Sequence, residues 1–471
     1  MSLESVFTAD GMWRSASDIA RAVTARQTTA LDVVEAALAR IERQNPALNA
    51  FTDITADRAR AKARALDGAI TKGETVGPLA GVPFAVKNLF DIEGLVTRAG
   101  SRINRDNQPA GRDATLVQRM EAAGGVLVGA LNMGEYAYDF TGENIHDGAS
   151  RNPHDITRMT GGSSGGSGGA VGGALVPIAL GSDTNGSIRV PASFCGIFGL
   201  KPTYGRLSRA RTFPFVPSLD HLGPFARCVE DLAGAYDAMQ GPDLDDAACV
   251  ARPVEHVSPL IGKGIDGLRI ATAGGYFQTN LTPEAKEAIA AVTKALGATA
   301  TVELPETDRA RAAAFLISTV EGASLHLDRL RCRAADYDPA VRDRLFAGAM
   351  VPAASLDRAQ KFRRWYRDRV LEVFRNVDVI VAPATPFTAP TLGQATCELD
   401  GVERPVRTSI GLQTQPISFI GLPVVVVPVP LAPMPIGVQI ITAPWREDIG
   451  LRVAWHLQQA GTVAAPRAKG F

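Results

Sequence analysis

Apolar and polar positions change their period several times along this chain. Apolar residues recur at helical spacing in two clear places, 34–41 and 282–296. Short apolar runs, of the kind that form buried strands, lie at 79–86, 126–128, 176–180, 379–381 and 424–427. Strands alternating with helices predict an α/β protein, with a mixed, mostly parallel and twisted central sheet between helical layers.

The chain contains no glycine/serine or charged linker that would separate autonomous domains. We therefore predict a single domain over residues 1–471. Within it we expect N-terminal helices over 1–70, the core over 71–260, a more helical and charged insertion over 306–375, and C-terminal strands and a helix over 376–471.

One segment, 416–444, has the length and the lack of charge of a membrane span. Five prolines between positions 423 and 435 would break a helix there, so buried strands joined by a turn are the better prediction. The first residues lack a basic stretch followed by an apolar one, which argues against a signal peptide. We expect no membrane association.

Composition narrows the class of protein further. Lys plus Arg and Asp plus Glu number 49 each, which argues against broad electrostatic binding to nucleic acid or to an anionic membrane. The five cysteines are odd in number and form no CxxC pair, so they are interpreted as reduced thiols. A cytoplasmic location follows as the prediction.

Candidate chemistry is concentrated in two small-residue stretches. Residues 161–167 read Gly-Gly-Ser-Ser-Gly-Gly-Ser, and residues 181–189 read Gly-Ser-Asp-Thr-Asn-Gly-Ser-Ile-Arg. Serines in tight glycine turns offer exposed hydroxyls and free backbone N–H groups, which acyl transfer needs. A flexible linker has a similar composition, but the apolar surroundings favour a structured loop.

Lys87 is the third candidate element, because it ends an apolar strand. Burial there would favour the neutral amine. A lysine acting as a base near neutral pH needs its pKa lowered by roughly 3 units, worth about 4 kcal/mol. The alternative is an ordinary solvated lysine at a strand end.

Four stretches in order resemble the amidase signature family: 81–88, 161–167, 181–191 and 195–203. The resemblance extends weakly over nearly the whole chain. It implies the amidase signature fold, a single α/β/α domain. It also implies hydrolysis of an amide through an acyl-serine intermediate, with release of ammonia and without a cofactor.

The resemblance also implies site residues. Ser187 matches the nucleophile, Ser163 the bridging serine that follows a cis peptide bond, and Lys87 the base. The turn that forms the oxyanion hole matches Thr184, Asn185, Gly186 and Ser187.

Further positions are assigned through the same resemblance. Asp183 and Arg189 match a structural charge network beside the nucleophile. Many members have glycine where this chain has Asn185, whose side chain narrows the pocket and offers an amide to a polar substrate. Tyr138 matches a position that lines the acyl pocket, with an ordinary half-buried tyrosine as the equal alternative.

A finer resemblance, carried by 88–94, 151–155, 218–224 and 236–243, is to the carboxybiuret hydrolase branch. It implies a small carboxylated, urea-like amide as substrate, a small helical accessory subunit, and a homodimeric or heterotetrameric assembly. Through the stretches 151–153 and 201–206, the chain is also similar to the A subunit of glutamyl-tRNA amidotransferase. A glutaminase that feeds ammonia to a tRNA-dependent reaction is therefore the alternative. A non-enzymatic scaffold is the third possibility.

Other sites find little support in the sequence. The six histidines have no metal-ligand spacing, and we expect no metal. The G-x-G-x-x-G match at 262–267 precedes an apparent strand instead of following one, so no dinucleotide is expected. An α/β-hydrolase triad would need a later pair such as Asp448 and His456, and the glycine-rich tract alone is weak support for it.

Overall fold

Helices and strands alternate along most of the chain. The computed structural model describes residues 12–471. The helices are α1 (Ala16–Thr24), α2 (Ala30–Leu48), α3 (Ala56–Thr71), α4 (Thr115–Ala122), α5 (Gly165–Gly172), α6 (Arg189–Phe194), α7 (Val229–Met239), α8 (Pro283–Ala295), α9 (Thr307–Arg333), α10 (Pro339–Ala349), α11 (Ala353–Val373), α12 (Val406–Ser409), α13 (Gln415–Ser418) and α14 (Glu447–Gln459).

The strands fall into one large sheet and two small hairpin-like pairs. They are β1 (Phe51–Ile54), β2 (Pro83–Lys87), β3 (Val126–Leu131), β4 (Arg151–Asn152), β5 (Asp155–Met159), β6 (Ile178–Asp183), β7 (Phe198–Lys201), β8 (His221–Ala226), β9 (Ile270–Ala273), β10 (Ala300–Val302), β11 (Val379–Pro383), β12 (Thr396–Leu399), β13 (Val402–Pro405), β14 (Val424–Val429) and β15 (Ile436–Thr442). The large sheet has eleven strands in the order β1-β3-β2-β6-β8-β7-β14-β15-β11-β9-β10.

The α/β class and the mixed sheet are confirmed, but the expectation of a mostly parallel sheet is wrong. Within the described residues, only the pairs β2–β3, β2–β6, β9–β10 and β9–β11 are parallel. The other six neighbouring pairs of the large sheet are antiparallel. Parallel neighbours need a crossover of a dozen or more residues, whereas β14 and β15 are joined by six. The short connection therefore requires β14 and β15 to be antiparallel.

Three helix starts carry signals in the sequence. Ser15 and Thr29 each precede an acidic residue by three positions, and Thr282 stands before a proline as a predicted cap. The Ser15 side chain accepts the backbone N–H of Asp18, and Thr29 forms a reciprocal capping box with Asp32, as predicted. Helix α8 begins at Pro283 as predicted, but the Thr282 side chain makes no capping hydrogen bond in the described residues.

The uncharged segment 416–444 forms buried strands, as predicted. Strands β14 and β15 are buried at every position and pair with each other in the middle of the sheet. Among residues 12–471, no helix is long and apolar enough to cross a membrane. The prediction about a signal peptide concerns residues outside the described range.

Helices α9, α10 and α11 account for the helical stretch expected over 306–375. Helix α9 packs against both α10 and α11. Its buried side includes Ser318 and Thr319, which reach side chains that follow the core strands. The insertion therefore supplies one wall of the site described next, while the division of the chain into parts remains a prediction.

Candidate active site

The site begins where two parallel strands end side by side. Strands β2 and β6 pair in parallel, with Val86 opposite Leu180, so Lys87 comes to lie beside the end of β6. The glycine-serine tract passes over the same edge before α5 begins. Its backbone approaches closely: a Cβ on Gly162 would lie 2.5 Å from a carboxylate oxygen of Asp139. The Gly162–Ser163 peptide bond is cis.

The Lys87 amine is fully buried among serine hydroxyls. Its Nζ lies 2.7 Å from the Oγ of Ser163, 2.9 Å from that of Ser182 and 3.0 Å from that of Ser164. Ser164 also donates to the Ser182 carbonyl, and Ser167 donates to the Leu180 carbonyl. The structure thus brings together Lys87 and Ser163, as predicted, and holds the other serines of the tract in structural hydrogen bonds.

Burial lowers the pKa of Lys87 to about 7, against the opposing effect of three carboxylates, Asp220, Asp183 and Asp139. A substantial fraction of such an amine is neutral at neutral pH. A neutral amine in contact with a hydroxyl can accept its proton, so Lys87 is equipped to act as a general base.

Ser187 lies in the turn between β6 and α6 and lines a pocket of about 720 Å³. Within residues 12–471, its hydroxyl forms no hydrogen bond, including none to Ser163. No protein acceptor in that range takes the backbone N–H groups of Asn185, Gly186 and Ser187. Gly186 has φ of 143°, and a Cβ there would lie 2.3 Å from the Thr414 hydroxyl oxygen. This turn can hold an oxyanion with free N–H groups.

The side chains of Thr184 and Asn185 point to different partners. Thr184 donates its hydroxyl to Asp220 at 2.6 Å. Asn185 donates its amide to the Ser318 hydroxyl at 2.8 Å, while its Oδ1 is buried without a partner in the described part of the chain. The Asn185 side chain lines the pocket, but its Oδ1 is covered by protein atoms and is not open to the pocket.

Asp183 and Arg189 form a fully buried, bidentate ion pair beside the turn. The Arg189 Nε lies 2.9 Å from one carboxylate oxygen and its Nη2 lies 3.0 Å from the other. Arg189 also donates to the Gln439 side chain at 2.8 Å. Burial alone would raise the pKa of Asp183, but the paired guanidinium outweighs it and holds the pKa well below its usual range. The pair joins the end of β6 to the start of α6 on either side of the turn.

The pocket in front of Ser187 is largely apolar, with a cationic part. Tyr138 lines it, and its hydroxyl lies 2.9 Å from that of Thr319. Arg311, Arg344 and Arg407 also line the pocket, whereas Asp139 is the acid among its lining residues. Positive charge therefore predominates around the space that a substrate would occupy.

Sequence reasoning missed Ser182, Arg311, Arg344 and Ser318. Ser182 lies within the small-residue stretch 181–189 that the sequence analysis singled out, so the sequence could have indicated it as a site residue. The others lie on α9 and α10, more than a hundred residues from the motifs, and only the packing of these helices brings them to the pocket. In residues 12–471 no group of three metal-ligating side chains occurs.

Comparisons with known proteins find matches over most of the chain. The family model named Amidase matches residues 32–450. AtzE, a 1-carboxybiuret hydrolase subunit of Pseudomonas sp. (strain ADP), is 53% identical, covering 94% of this chain and 98% of the relative. A glutamyl-tRNA(Gln) amidotransferase subunit of Methylococcus capsulatus is 36% identical, covering 95% of this chain and 97% of the relative.

One solved structure is described as an unexpected vestigial protein complex that reveals the evolutionary origins of an s-triazine catabolic enzyme. It matches with a TM-score of 0.95 and 52% identity over 96% of this chain and 100% of that one. The family match over most of the length, together with these identities, establishes the family of the chain. The chain belongs to the amidase signature family and is a hydrolase of carbon–nitrogen amide bonds.

Proposed function

We propose that this protein hydrolyses a small, linear, carboxylated amide or ureide, similar to 1-carboxybiuret, and releases ammonia. Ser187 is the nucleophile, Ser163 the relay and Lys87 the base. The 53% identity to a 1-carboxybiuret hydrolase subunit supports this substrate class. The observation that carries the proposal is a buried Lys87 amine in contact with Ser163, next to a pocket where Ser187 and unneutralised arginines meet.

The reaction starts from the Lys87–Ser163 contact and requires a second contact, between the Ser163 and Ser187 hydroxyls, which the described structure does not show. Neutral Lys87 takes the proton of Ser163 as Ser163 takes the proton of Ser187, and the Ser187 oxygen attacks the amide carbonyl. The free N–H groups of the turn receive the negative charge that develops on the carbonyl oxygen. The relay returns a proton to the leaving nitrogen, the C–N bond breaks and ammonia leaves. Water then hydrolyses the acyl-serine by the same route.

Two arginines support an anionic substrate. Arg311 is oriented by Gln415 at 3.0 Å and by the Thr408 carbonyl at 2.9 Å. Arg344 donates to the carbonyls of Ala340 and Tyr138. These acceptors fix the guanidinium groups without cancelling their charge, and neither arginine has a carboxylate partner in the described range. A carboxylate of the substrate can complete the pairing in the bidentate geometry that arginine favours.

Asn185 supports a small substrate. Its side chain lines the pocket together with Ser187, and its amide is held by the Ser318 hydroxyl at 2.8 Å. A side chain at this position takes space that a glycine would leave open, so bulky acyl groups are disfavoured.

Glutamine fits this pocket less well. Its α-ammonium group needs an acceptor, and the one acidic residue in the pocket lining is Asp139. The Asp139 oxygens already accept the N–H groups of Thr141 and Gly142, the Thr141 hydroxyl and the Arg407 guanidinium. Among the described residues, the pocket thus has cations for a carboxylate but no uncommitted carboxylate for an ammonium.

Ammonia release tests the proposal. We expect purified protein to act on 1-carboxybiuret far better than on biuret or L-glutamine. Arg311→Met and Arg344→Met should each lower kcat/KM for the carboxylated substrate by roughly 10- to 100-fold, as loss of a charge-assisted hydrogen bond does. Arg309→Met, which alters an exposed arginine on the same helix, is the matched control. Preference for glutamine would contradict the proposal and favour the amidotransferase alternative.

The assembly belongs to the same proposal. We infer that the protein forms either a homodimer or a heterotetramer that includes a small helical accessory subunit. The support is that the 53% identical relative is named as a subunit of its enzyme, and that a matching solved structure is a protein complex. Light scattering of the protein expressed alone and co-expressed with such a partner measures the composition of the complex directly. A monomer in both preparations would contradict the proposed assembly. A cytoplasmic location is the accompanying prediction.

A further inference from the structure

The segment 218–224 stands out in the sequence, and the mechanism above makes no use of it. At its centre, Asp220 is about nine-tenths buried and accepts hydrogen bonds through both carboxylate oxygens. Oδ1 accepts the Thr184 hydroxyl at 2.6 Å, and Oδ2 accepts the backbone N–H of Phe215 at 2.9 Å. The N–H of Val216 lies 3.0 Å from Oδ2 and 3.1 Å from Oδ1.

These partners belong to two different parts of the site. Thr184 opens the turn that presents the free N–H groups, and Phe215 lines the substrate pocket. The Phe215 ring lies 4.7 Å from that of Tyr138, another residue of the pocket wall. One carboxylate therefore ties the turn to the wall against which a substrate would lie.

A second cavity, of about 190 Å³, reaches the same carboxylate from another direction. It is lined by Asp220 and by Ser182, whose hydroxyl contacts the Lys87 amine. It shares Thr184 and Phe215 with the substrate pocket. Asp220 thus lines the smaller cavity together with Ser182 and binds two residues, Thr184 and Phe215, that line both cavities.

Three carboxylates act on the charge of Lys87, and they differ in their own partners. Asp183 is paired with Arg189, and Asp139 with Arg407. Asp220 has no ion pair in residues 12–471.

Arg209 also faces Asp220, but its guanidinium is committed to Asp246, with which it pairs at 3.0 Å. A buried carboxylate without a cation is costly unless hydrogen bonds compensate. The charge of Asp220 is left to act on the ammonium that Lys87 becomes when it accepts a proton.

We propose that Asp220 is a positioning residue of the acyl-transfer site, which holds the Thr184 turn against the Phe215 wall and compensates the positive charge that forms on Lys87. The inference rests on the proposed role of Lys87 as the base. It separates two contributions, hydrogen bonding through Thr184 and charge toward Lys87, which different variants can remove one at a time.

Asp220→Asn removes the charge and can keep the contacts, because its Oδ1 can accept the Phe215 and Val216 N–H groups while its Nδ2 donates to Thr184. The acidic limb of kcat/KM should move to lower pH, because Lys87 loses a carboxylate that favours its protonated form. The rate on the plateau should fall roughly 10-fold, because a less basic amine is a weaker general base.

Thr184→Val does the reverse: it cuts the hydrogen bond and leaves the charge. Its plateau should fall roughly 10- to 100-fold, as a misplaced oxyanion donor does, with the acidic limb unmoved. Asp231→Asn is the control, since Asp231 also holds two backbone N–H groups and a hydroxyl while lining neither cavity. Its activity and pH profile should match the wild type.

The two variants test the charge contribution and the positioning contribution of Asp220 separately. An acidic limb in Asp220→Asn identical to the wild type, with thermal unfolding unchanged, would overturn the charge contribution. A Thr184→Val variant with full activity would overturn the positioning contribution. If Asp220→Asn does not fold, the Thr184→Val plateau still tests the proposal. Wild-type protein without amide hydrolysis, or full activity in Lys87→Met, would instead overturn the proposed function itself.

Discussion

Two fully buried lysines, Lys87 at the end of β2 and Lys201 at the end of β7, invite comparison. Burial lowers the pKa of each to about 7. Their partners differ in kind. Lys87 contacts three serine hydroxyls, whereas Lys201 donates to the backbone carbonyls of Pro202 and Leu422.

A hydroxyl can both give and accept a proton, and a backbone carbonyl can only accept a hydrogen bond. The amine of Lys87 can therefore exchange a proton with a neighbouring hydroxyl. The amine of Lys201 contacts only carbonyl oxygens in the described structure, and these have no proton to exchange. Lys201 ties β7 to the segment before β14, which is a structural task. A lowered pKa alone does not identify a catalytic base, and the chemistry of the neighbouring atoms has to be included.

The largest expected effect sets the two lysines directly against each other. Lys87→Met should lower kcat by about 10⁴-fold or more, because no other amine in the described structure reaches the serine relay. Lys201→Met should keep kcat within about 10-fold, as a buried structural substitution does. Steady-state ammonia release measures both, with circular dichroism as the check on folding. Equal losses of kcat in the two variants would contradict the distinction between a catalytic Lys87 and a structural Lys201.

The next largest effect is expected from a comparison of two serines of the tract, Ser163 in the proposed relay and Ser167 in a structural hydrogen bond. Ser163→Ala should cost nearly as much activity as Lys87→Met, because it interrupts the proposed relay while leaving the amine in place. Ser167→Ala is the matched control within the same tract, since its hydroxyl donates only to the Leu180 carbonyl in the described structure. Comparable kcat values for the two serine variants would argue against Ser163 as the relay.

The pH profile sharpens the comparison further. Lys87 must be neutral to accept a proton, so kcat/KM should rise with pH through an apparent pKa near 7. Coupling within the relay means that this apparent value belongs to the site as a whole. Lys201→Met should retain the same limb. A profile that is flat from pH 5 to 9 while chemistry is rate-limiting would exclude lysine as the base.

The smallest effect concerns stability. A lysine with a folded pKa near 7 and an unfolded pKa near 10.5 binds fewer protons in the folded state between these values. The unfolded state then binds more protons, so the free energy of unfolding should increase as pH rises through this window. Lys201→Met should show less of this increase than the wild type in urea titrations at pH 7.5 and 9.5. An identical increase in both proteins would show that Lys201 does not titrate as described.

Local signals in the sequence predicted a considerable part of the fold. The caps at Ser15 and Thr29, the proline start of α8 and the short buried strands depend on neighbouring residues and on periodicity alone. The direction of strand pairing was predicted less well. Among the described antiparallel pairs of the large sheet, only β14 and β15 are joined by a short connection, and the other connections are long enough for either direction. A pattern of strands and helices does not say which strands become neighbours.

The sequence by itself indicated Lys87 and the two serine stretches, whose glycines show their local backbone requirements. The resemblance to the amidase signature family singled out Ser163 and Ser187 among the serines. Only the tertiary structure decided the pocket and its charge. Arg311 and Arg344 come from distant helices, and Asp220 acquires its role by facing Thr184 and Phe215 at once. Whether a charge stays uncompensated depends on every group packed around it, and packing is a property of the folded chain as a whole.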